Sequence, residues 1–304
     1  MRRRVVLLLV LMNVLWAGTY AATKVLMADA PFFLVTSVRY LLAGLPLVVL
    51  AGLRGGLGMP ARDLARCALM GIATFTLTPL FMYGGVKIGR AADGAVLTAA
   101  EPLLISLGAF LYLRERIARR TVVALVLAFG GALLLSEFWT DARAVRPLGT
   151  LLILLGVFFE ATYSVVGKEL LARHPPLKLT AVSIAAGSLV NAISLTALGW
   201  WPRVAGLTAW DWGVLAGYLA LVCTLLGYTL WFVVLREHVT ANVAITIFTQ
   251  PALGILIAWA WIGETPTASQ IAGTAVILAA VAWAVLGRGG PPSEETPEVL
   301  PPNA

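Results

Sequence analysis

Acidic and amide side chains interrupt stretches of this chain that are otherwise apolar. Glu101 precedes Pro102, Gln250 precedes Pro251, and Glu160 lies in the run LLILLGVFFEATYSVV. A carboxylate at the centre of a bilayer costs about 2.5–3.5 kcal/mol on insertion scales, so it is expected to face a protein interior, where it is protonated, paired or hydrated. Glu101 and Glu160 are therefore candidates for contacting a substrate or carrying a proton.

Glu160 is the sharper of these two candidates. Gly156, Ser164 and Gly167 share its helical face by their spacing, and such small residues let a ligand or another helix approach closely. We predict that Glu160 binds a substrate ammonium or carries a proton. The alternative is an ion pair with a buried cation such as Arg39, which could itself recognise a carboxylate or a phosphate.

The two prolines are predicted helix breaks, because proline removes a backbone hydrogen bond and loosens the helix around it. For Glu101, substrate contact and capping of the loosened backbone next to Pro102 both stay open. Gln250 has the same relation to Pro251, and it is a candidate substrate contact for which packing and backbone hydrogen bonding are favoured.

Aromatic residues in the apolar stretches suggest a pocket wall with polar tips. Trp16 and Tyr20 lie one turn apart and are predicted to face the pocket. Later apolar stretches contain four further aromatic residues, for which helix packing is the favoured explanation: Tyr83, Tyr163, Tyr228 and Trp231. Of these four, Tyr83 and Tyr163 are kept as candidate substrate contacts.

The composition shows which kind of element must position these residues. The chain has 304 residues, 60% of them apolar and 12% charged, with a mean hydropathy of +0.90. A soluble domain has about 25% charged residues, and a spanning helix needs about 20 apolar ones. We predict an all-α membrane protein with ten transmembrane helices. The predicted spans are residues 5–24, 32–53, 65–87, 92–113, 119–137, 148–168, 177–199, 211–235, 240–261 and 269–287.

The distribution of basic residues predicts the orientation. Of the 22 Lys and Arg residues, 15 fall in segments on the side of the N-terminus, 6 fall on the other side, and Arg39 lies within a span. The excess marks the cytoplasmic side, so both termini are predicted to be cytoplasmic in the inner (plasma) membrane. The formal net charge of +7 thus reflects orientation in a lipid bilayer, and we exclude nucleic acid as a partner.

An internal repeat divides the chain into two halves. One set of matches has an offset of 149 residues: Glu101, Pro102 and Glu115 with Gln250, Pro251 and Glu264. A second set has an offset of 144: Lys24 and Pro31 with Lys168 and Pro175. Because each half contains five helices, an odd number, the second half enters the membrane inverted. We predict repeats at residues 1–143 and 144–288, and a disordered, Pro-rich cytoplasmic tail at 289–304.

Several charged residues near the ends of the spans have structural explanations. Glu115 and Glu264 are predicted to pair with a loop arginine or to cap the next helix. Lys24 and Lys168 are predicted interfacial anchors, and His174 is a loop residue without a partner pattern for metal binding or catalysis.

The repeated segments resemble the EamA-like group of the drug/metabolite transporter superfamily. The resemblance is carried by AADGAVLTAAEPLLISLGAFLYLRERIARRTVVALVLAFGGALLL, by HVTANVAITIFTQPALGILIAWAWIGETPTASQIAGTAVILAAVAWAVL, and by the first-helix stretch LWAGTYAATK. Glu160 departs from the pattern, since a tryptophan is often found in the equivalent stretch. The resemblance implies a ten-helix alternating-access carrier, with relatives that move amino acids, other metabolites, drugs, sugars or sugar phosphates.

These observations predict a secondary transporter that exports amino acids or related small metabolites; the alternative is a multidrug or toxic-compound efflux carrier. Proton exchange through Glu160 or Glu101 and simple facilitated diffusion both stay open. No HExxH motif or Ser/His pair points to an enzyme, and no cofactor or metal is expected. The expected partners are a small-molecule substrate and the lipid bilayer.

Overall fold

The computed structural model describes residues 3–26, 31–88, 97–137, 147–262 and 265–286, and these residues form an all-α fold. Within these described ranges, seven helices are long and apolar enough to cross a membrane. Three shorter apolar stretches complete the set of ten: Val5–Thr19, Glu101–Leu111 and Thr240–Leu256. The predicted disordered tail lies outside the described residues.

The first five helices are numbered in chain order. They are α1 (Arg3–Leu26), α2 (Phe32–Leu53), α3 (residues 61–88), α4 (Glu101–Leu111) and α5 (Arg119–Ser136). Helix α3 has three parts, an α-helix Ala61–Ile72, a π-helical segment Ala73–Leu77 and an α-helix Thr78–Ile88. The π segment interrupts the regular hydrogen-bond ladder near the middle of the span.

The second five helices follow the same order. They are α6 (Pro147–Leu171), α7 (Pro176–Ala197), α8 (Ala209–Glu237), α9 (residues 240–262) and α10 (Ala268–Leu286). Helix α8 contains a π segment, Gly213–Leu226, and α9 contains a 3-10 segment, Ile245–Phe248. The third helix of each repeat is therefore the one with π-helical geometry, a feature often found at functional sites.

Most predicted spans agree with the helices to within a few residues, and the differences have local causes. Helix α3 begins at Ala61 rather than at residue 65, because Asp63 and Arg66 form ion pairs instead of remaining in a loop. Helix α8 begins at Ala209 rather than at 211, since Thr208 and Asp211 form a capping box there. The predicted span 92–113 is described only from residue 97.

Packing between the two halves follows an inverted pseudo-symmetry. Helix α2 packs on α7 and α5 packs on α10, so each of these pairs joins equivalent helices. The packing of α3 on α6 and α7 is repeated by the packing of α8 on α1 and α2. The two repeats are therefore interleaved, and most contacts that position the interior of the bundle cross from one repeat to the other.

Small residues allow the closest of these approaches. A Cβ atom on Gly131 of α5 would lie 2.9 Å from the Gly273 carbonyl oxygen of α10, and one on Gly273 would lie 2.6 Å from the Gly131 oxygen. Close backbone approach is the usual means of helix association in a membrane, where lipid gives no hydrophobic drive. The outer surface carries large apolar side chains such as Leu45 and Val126, which are 71% and 64% exposed.

Candidate functional site

A cavity of about 170 Å³ lies between the two repeats. Its walls come from α1 to α4 of the first repeat and from α6, α8 and α9 of the second. Six of the seven predicted substrate contacts line it: Trp16, Tyr83, Glu101, Glu160, Tyr163 and Gln250. The side chain of the seventh, Tyr20, lies outside the described residues. The cavity is also lined by Arg39, Tyr228 and Trp231.

Tyr228 is at the centre of the aromatic wall. Its ring centroid lies 5.6 Å from that of Trp16, 5.0 Å from that of Phe75 and 5.1 Å from that of Tyr163. The Trp16 ring is also 5.7 Å from Trp231. Tilted and edge-on contacts at these distances are favourable, so the rings hold one another in place. These residues both pack and line the cavity.

The polar tips of the two tryptophans are bonded within the protein. Trp16 Nε1 donates to the Cys223 carbonyl oxygen at 2.8 Å, and Trp231 Nε1 donates to Ser164 Oγ at 3.0 Å. A ligand in the cavity would therefore meet ring faces rather than indole N–H groups.

Glu160 enters the cavity from α6, where small neighbours make room around it. Its Oε1 accepts a hydrogen bond from Tyr228 Oη at 3.1 Å. The predicted small residues on its face admit side chains from other helices, since a Cβ atom on Gly156 would lie 2.4 Å from Met82 Cγ. In the described part of the chain, no cation lies within 4 Å of the Glu160 carboxylate, so a direct ion pair with Arg39 is not formed.

Arg39 enters the same cavity from α2 and is only 7% exposed. Its Nε donates to Thr224 Oγ1 at 2.7 Å, and Thr224 lies in the π segment of α8. Thr224 Oγ1 in turn donates to the Leu219 carbonyl oxygen at 2.8 Å, a five-residue spacing that π geometry brings within reach. The two Nη nitrogens of Arg39 find no hydrogen-bond acceptor among the residues that the structure describes.

Glu101 and Gln250 hold equivalent positions in the two repeats but have different surroundings. Gln250 Nε2 donates to Asn13 Oδ1 at 3.1 Å, and Asn13 Nδ2 donates to the Leu9 carbonyl oxygen and to Thr246 Oγ1. This network supports the packing interpretation of Gln250. The Glu101 carboxyl borders the cavity. No residue that the structure describes forms a hydrogen bond or an ion pair with it.

Each of the two prolines lies in the first turn of a helical segment. Pro102 is in the first turn of α4, and Pro251 is in the first turn of Thr249–Ile262, directly after the 3-10 segment of α9. Proline fits a first turn because its missing N–H has no partner there in any case. Each proline therefore directly follows a cavity-lining residue, Glu101 or Gln250, at a point where the backbone enters a new helical segment.

An ionic network at one end of the bundle was missed by the sequence analysis. Arg66 donates to Glu169 at 2.5 and 2.6 Å, and Arg173 bonds both Asp63 at 2.9 Å and Glu169 at 3.1 Å. The network joins the start of α3 to the end of α6 and, through Tyr112, to the end of α4. The members on α3 and on α6 lie far apart in the chain, so these ion pairs become visible only when α3 is packed on α6.

His174 also belongs to this ionic network. The sequence offered it no partner, but its Nε2 lies 2.8 Å from Asp63 Oδ2 and the ring is 9% exposed. The Tyr112 hydroxyl completes the network by donating to Glu169 Oε2 at 2.7 Å. A buried carboxylate such as Asp63 needs these partners, because an unpaired charge in this environment is costly.

Two more charged side chains bond the ends of other helices. Glu115 accepts from the backbone N–H and the hydroxyl of Thr240 at 2.8 and 2.9 Å, which caps the start of α9. Lys168 Nζ donates to three carbonyl oxygens at the end of α8, including that of Leu235 at 2.6 Å. Glu264 and the Lys24 side chain lie outside the described residues.

The cavity and the ionic network occupy different levels of the bundle. Helix α2 lines the cavity with residues of its first half, from Phe32 to Tyr40, and α3 lines it with residues of its last part, from Thr78 to Tyr83. Since α2 begins and α3 ends on the same side, the cavity lies towards that side. The network at the start of α3 lies at the other end, where ion pairs link α3 to α6.

Two consecutive parts of the chain, residues 3–137 and 147–286, match the EamA-like transporter family. The chain belongs to this family. A probable amino-acid metabolite efflux pump of Salmonella typhimurium is 27% identical over 94% of this chain and 96% of its own length. A probable terminal-alkyne amino-acid exporter of Streptantibioticus cattleyicolor is 26% identical over 90% of each chain.

A solved crystal structure has the same fold, with a TM-score of 0.77 at 20% identity over 94% of this chain and 98% of the other. Together, the family match and the apolar helices identify a multi-pass membrane transporter with two inverted five-helix repeats. The resemblance noted in the sequence is thereby confirmed.

Proposed function

We propose that this transporter exports amino acids or related small metabolites by alternating access, with the cavity between the repeats as its substrate site. The observation that carries the proposal is the combination of one buried guanidinium, Arg39, with the carboxyls of Glu101 and Glu160 in a single aromatic-walled cavity. Secondary transporters with inverted repeats bind substrate at this interface and rock one repeat against the other.

The size of the cavity supports a small substrate. An apolar cavity of about 150 Å³ holds a benzene molecule, whereas pockets for drug-sized ligands are about 300–1,000 Å³. The 170 Å³ between the repeats fits a molecule the size of a small amino acid. Multidrug efflux is the second candidate, favoured by the aromatic wall around Tyr228.

The proposed orientation puts both termini in the cytoplasm and the protein in the inner (plasma) membrane. The excess of basic residues in the loops on the N-terminal side supports it. In this orientation the ionic network of Arg66, Glu169 and Arg173 closes the cytoplasmic end, and the cavity lies towards the outside. Tags near Arg116 and near Glu264 should then be found on opposite sides of the membrane.

Glu160 and Glu101 are the proposed proton-coupling residues. Two neighbouring carboxyls in a cavity of low dielectric do not readily ionise together, which gives the site a way to exchange a proton for a charged substrate group. Facilitated diffusion without proton movement is the alternative that the transport assay separates.

The test is counterflow in liposomes with the purified protein, using a mixture of labelled amino acids and, separately, a fluorescent cationic dye. We expect uptake of amino acids, faster with a pH gradient, and little uptake of dye. Glu237→Gln, an exposed change at the end of α8, is the matched control for charge removal. Dye movement without amino-acid movement would support multidrug efflux instead.

A further inference from the structure

We infer that Arg39 and Glu160 form a two-pole site for a zwitterion, in which Arg39 binds the carboxylate and Glu160 binds the ammonium group of one substrate molecule. The inference rests on the proposed transport function and names the chemistry by which the substrate is held.

The Arg39 guanidinium has N–H donors at the cavity surface that a ligand can use. Among the described residues, its one hydrogen bond runs from Nε to Thr224 at 2.7 Å and its Cζ lies 5.4 Å from the Tyr40 ring centroid, although the residue is only 7% exposed. A guanidinium has five N–H donors in a planar fork that matches the two oxygens of a carboxylate. Because Thr224 holds the Nε edge, the fork formed by the two Nη nitrogens is oriented and available for an anion in the cavity.

The Glu160 carboxylate is the complementary group, an acceptor for an ammonium. Its Oε1 accepts one hydrogen bond, from Tyr228, and no cation in the described segments lies within 4 Å of it. A carboxylate forms its strongest hydrogen bonds with charged donors. An ammonium group supplies three such donors in a compact volume.

The two charged side chains share the cavity but do not pair with each other. Arg39 and Glu160 line the same cavity, but in the described part of the chain they form no ion pair within 4 Å. We expect a ligand whose own charges are separated only by an α-carbon to bridge them inside this cavity. An amine alone would leave the guanidinium unpaired, and a carboxylic acid alone would leave Glu160 unpaired, each at the cost of an uncompensated buried charge.

The poles also belong to different repeats. Arg39 is on α2 of the first repeat and Glu160 is on α6 of the second. A zwitterion bound to both would bridge the interface at which the repeats move, whereas a ligand with one charge would make a charged contact with one repeat only. The substrate is therefore recognised by the same contacts that link it to the conformational change.

The test measures binding to the purified protein in detergent by calorimetry, with three matched probes. These are L-leucine, 3-methylbutylamine, which lacks the carboxylate, and 4-methylpentanoate, which lacks the amine. We expect the wild-type protein to bind leucine most tightly. Loss of one charge-assisted contact is expected to weaken binding about 10- to 100-fold.

The variants separate the two poles. Arg39→Gln should weaken leucine and 4-methylpentanoate by that factor and leave 3-methylbutylamine unchanged, and Glu160→Gln should weaken leucine and the amine and leave the acid unchanged. Arg39→Lys keeps the charge but loses the fork, so it should fall between. Arg203→Gln and Glu237→Gln are the matched controls away from the cavity.

A wild-type protein that binds the amine or the acid as tightly as leucine would overturn the inference, even if every variant failed to fold. Equal weakening of all three probes by Arg39→Gln would also overturn it. Amino-acid counterflow without this pole-specific pattern leaves the proposed function standing, whereas the pattern without any amino-acid transport contradicts the proposed function alone.

Discussion

The two repeats share a backbone plan but contribute different chemistry to the cavity. With the offset of 144 residues, Trp16 of the first repeat corresponds to Glu160 of the second, and with the offset of 149, Glu101 corresponds to Gln250. All four line the same cavity. The scaffold is thus nearly symmetric, while the side chains that meet a ligand are not, so the site can hold an asymmetric molecule in one orientation.

The same comparison applies to the buried cation. The residue equivalent to Arg39 is Ser183 of α7, which is fully buried and donates to the Thr180 carbonyl oxygen at 3.1 Å. Among the described residues, the lining of the cavity therefore has one cationic side chain, Arg39 of the first repeat, and two acidic ones, Glu101 and Glu160.

The two ends of the bundle differ for a related reason. Among the described residues, Asp63 at the start of α3 bonds Arg173 and His174, whereas the Asp211 carboxylate at the start of α8 accepts only from the helix cap Thr208, at 2.7 and 2.9 Å. Because the repeats are inverted, these equivalent helix starts face opposite sides. Ion pairs join helices on one side, and a local cap holds the helix start on the other.

The largest effect is expected from making the repeats alike at the cavity. Glu160→Trp gives the second repeat the residue that the first has at position 16, removing a carboxylate and filling part of the space. We expect amino-acid counterflow to fall at least about 100-fold, since a charged contact and volume are lost together. Glu237→Gln is the control, and retained transport in a correctly folded Glu160→Trp protein would contradict the assigned role.

A smaller effect is expected at the other equivalent pair. Glu101→Gln gives the first repeat the amide that the second has at position 250 and removes a group that can titrate. We expect the stimulation of counterflow by a pH gradient to fall about tenfold, with exchange at equal pH less affected. Rates measured at several pH values check this. An unchanged response to the gradient would assign the coupling to Glu160 or would show that no proton moves.

The difference between the two ends predicts a conformational effect. Glu169→Gln should weaken the contacts to Arg66 and Arg173 and favour opening of that end, because the charge on both partners is left less compensated. We expect hydrogen exchange at the start of α3 to accelerate about 10-fold. Exchange at the start of α8, which has no part in the network, is the internal control. Equal acceleration at both helix starts would point to general destabilisation.

The smallest effect is expected at the local cap. Thr208→Ala removes the hydroxyl that accepts from the Asp211 backbone N–H at 3.2 Å. Loss of such a cap costs about 0.5–2 kcal/mol, so the thermal transition should fall by a few degrees while counterflow is retained. A large loss of counterflow in Thr208→Ala would mean instead that transport depends on this helix start.

Hydropathy and the repeat predicted the fold class because both are local properties of the chain. Each apolar stretch of membrane length must satisfy its backbone within a helix, whatever its neighbours are, and an odd number of helices in each half requires the inversion. The same reasoning placed Glu101 and Glu160 towards the interior, since lipid does not tolerate them. It favoured packing over ligand contact for Gln250, but it could not identify the partner, Asn13, which lies on another helix.

By itself, the amino-acid sequence determined that the protein spans a membrane with ten helices in two related halves, and which polar residues must avoid lipid. Only the tertiary structure decided which of those residues meet: Arg39 with Thr224 across the repeats, Asp63 with His174, and Glu160 with Tyr228 rather than with a cation. The physical reason is that hydrophobicity acts on each segment separately, whereas hydrogen bonds and ion pairs require the register and rotation of helices that are distant in the chain.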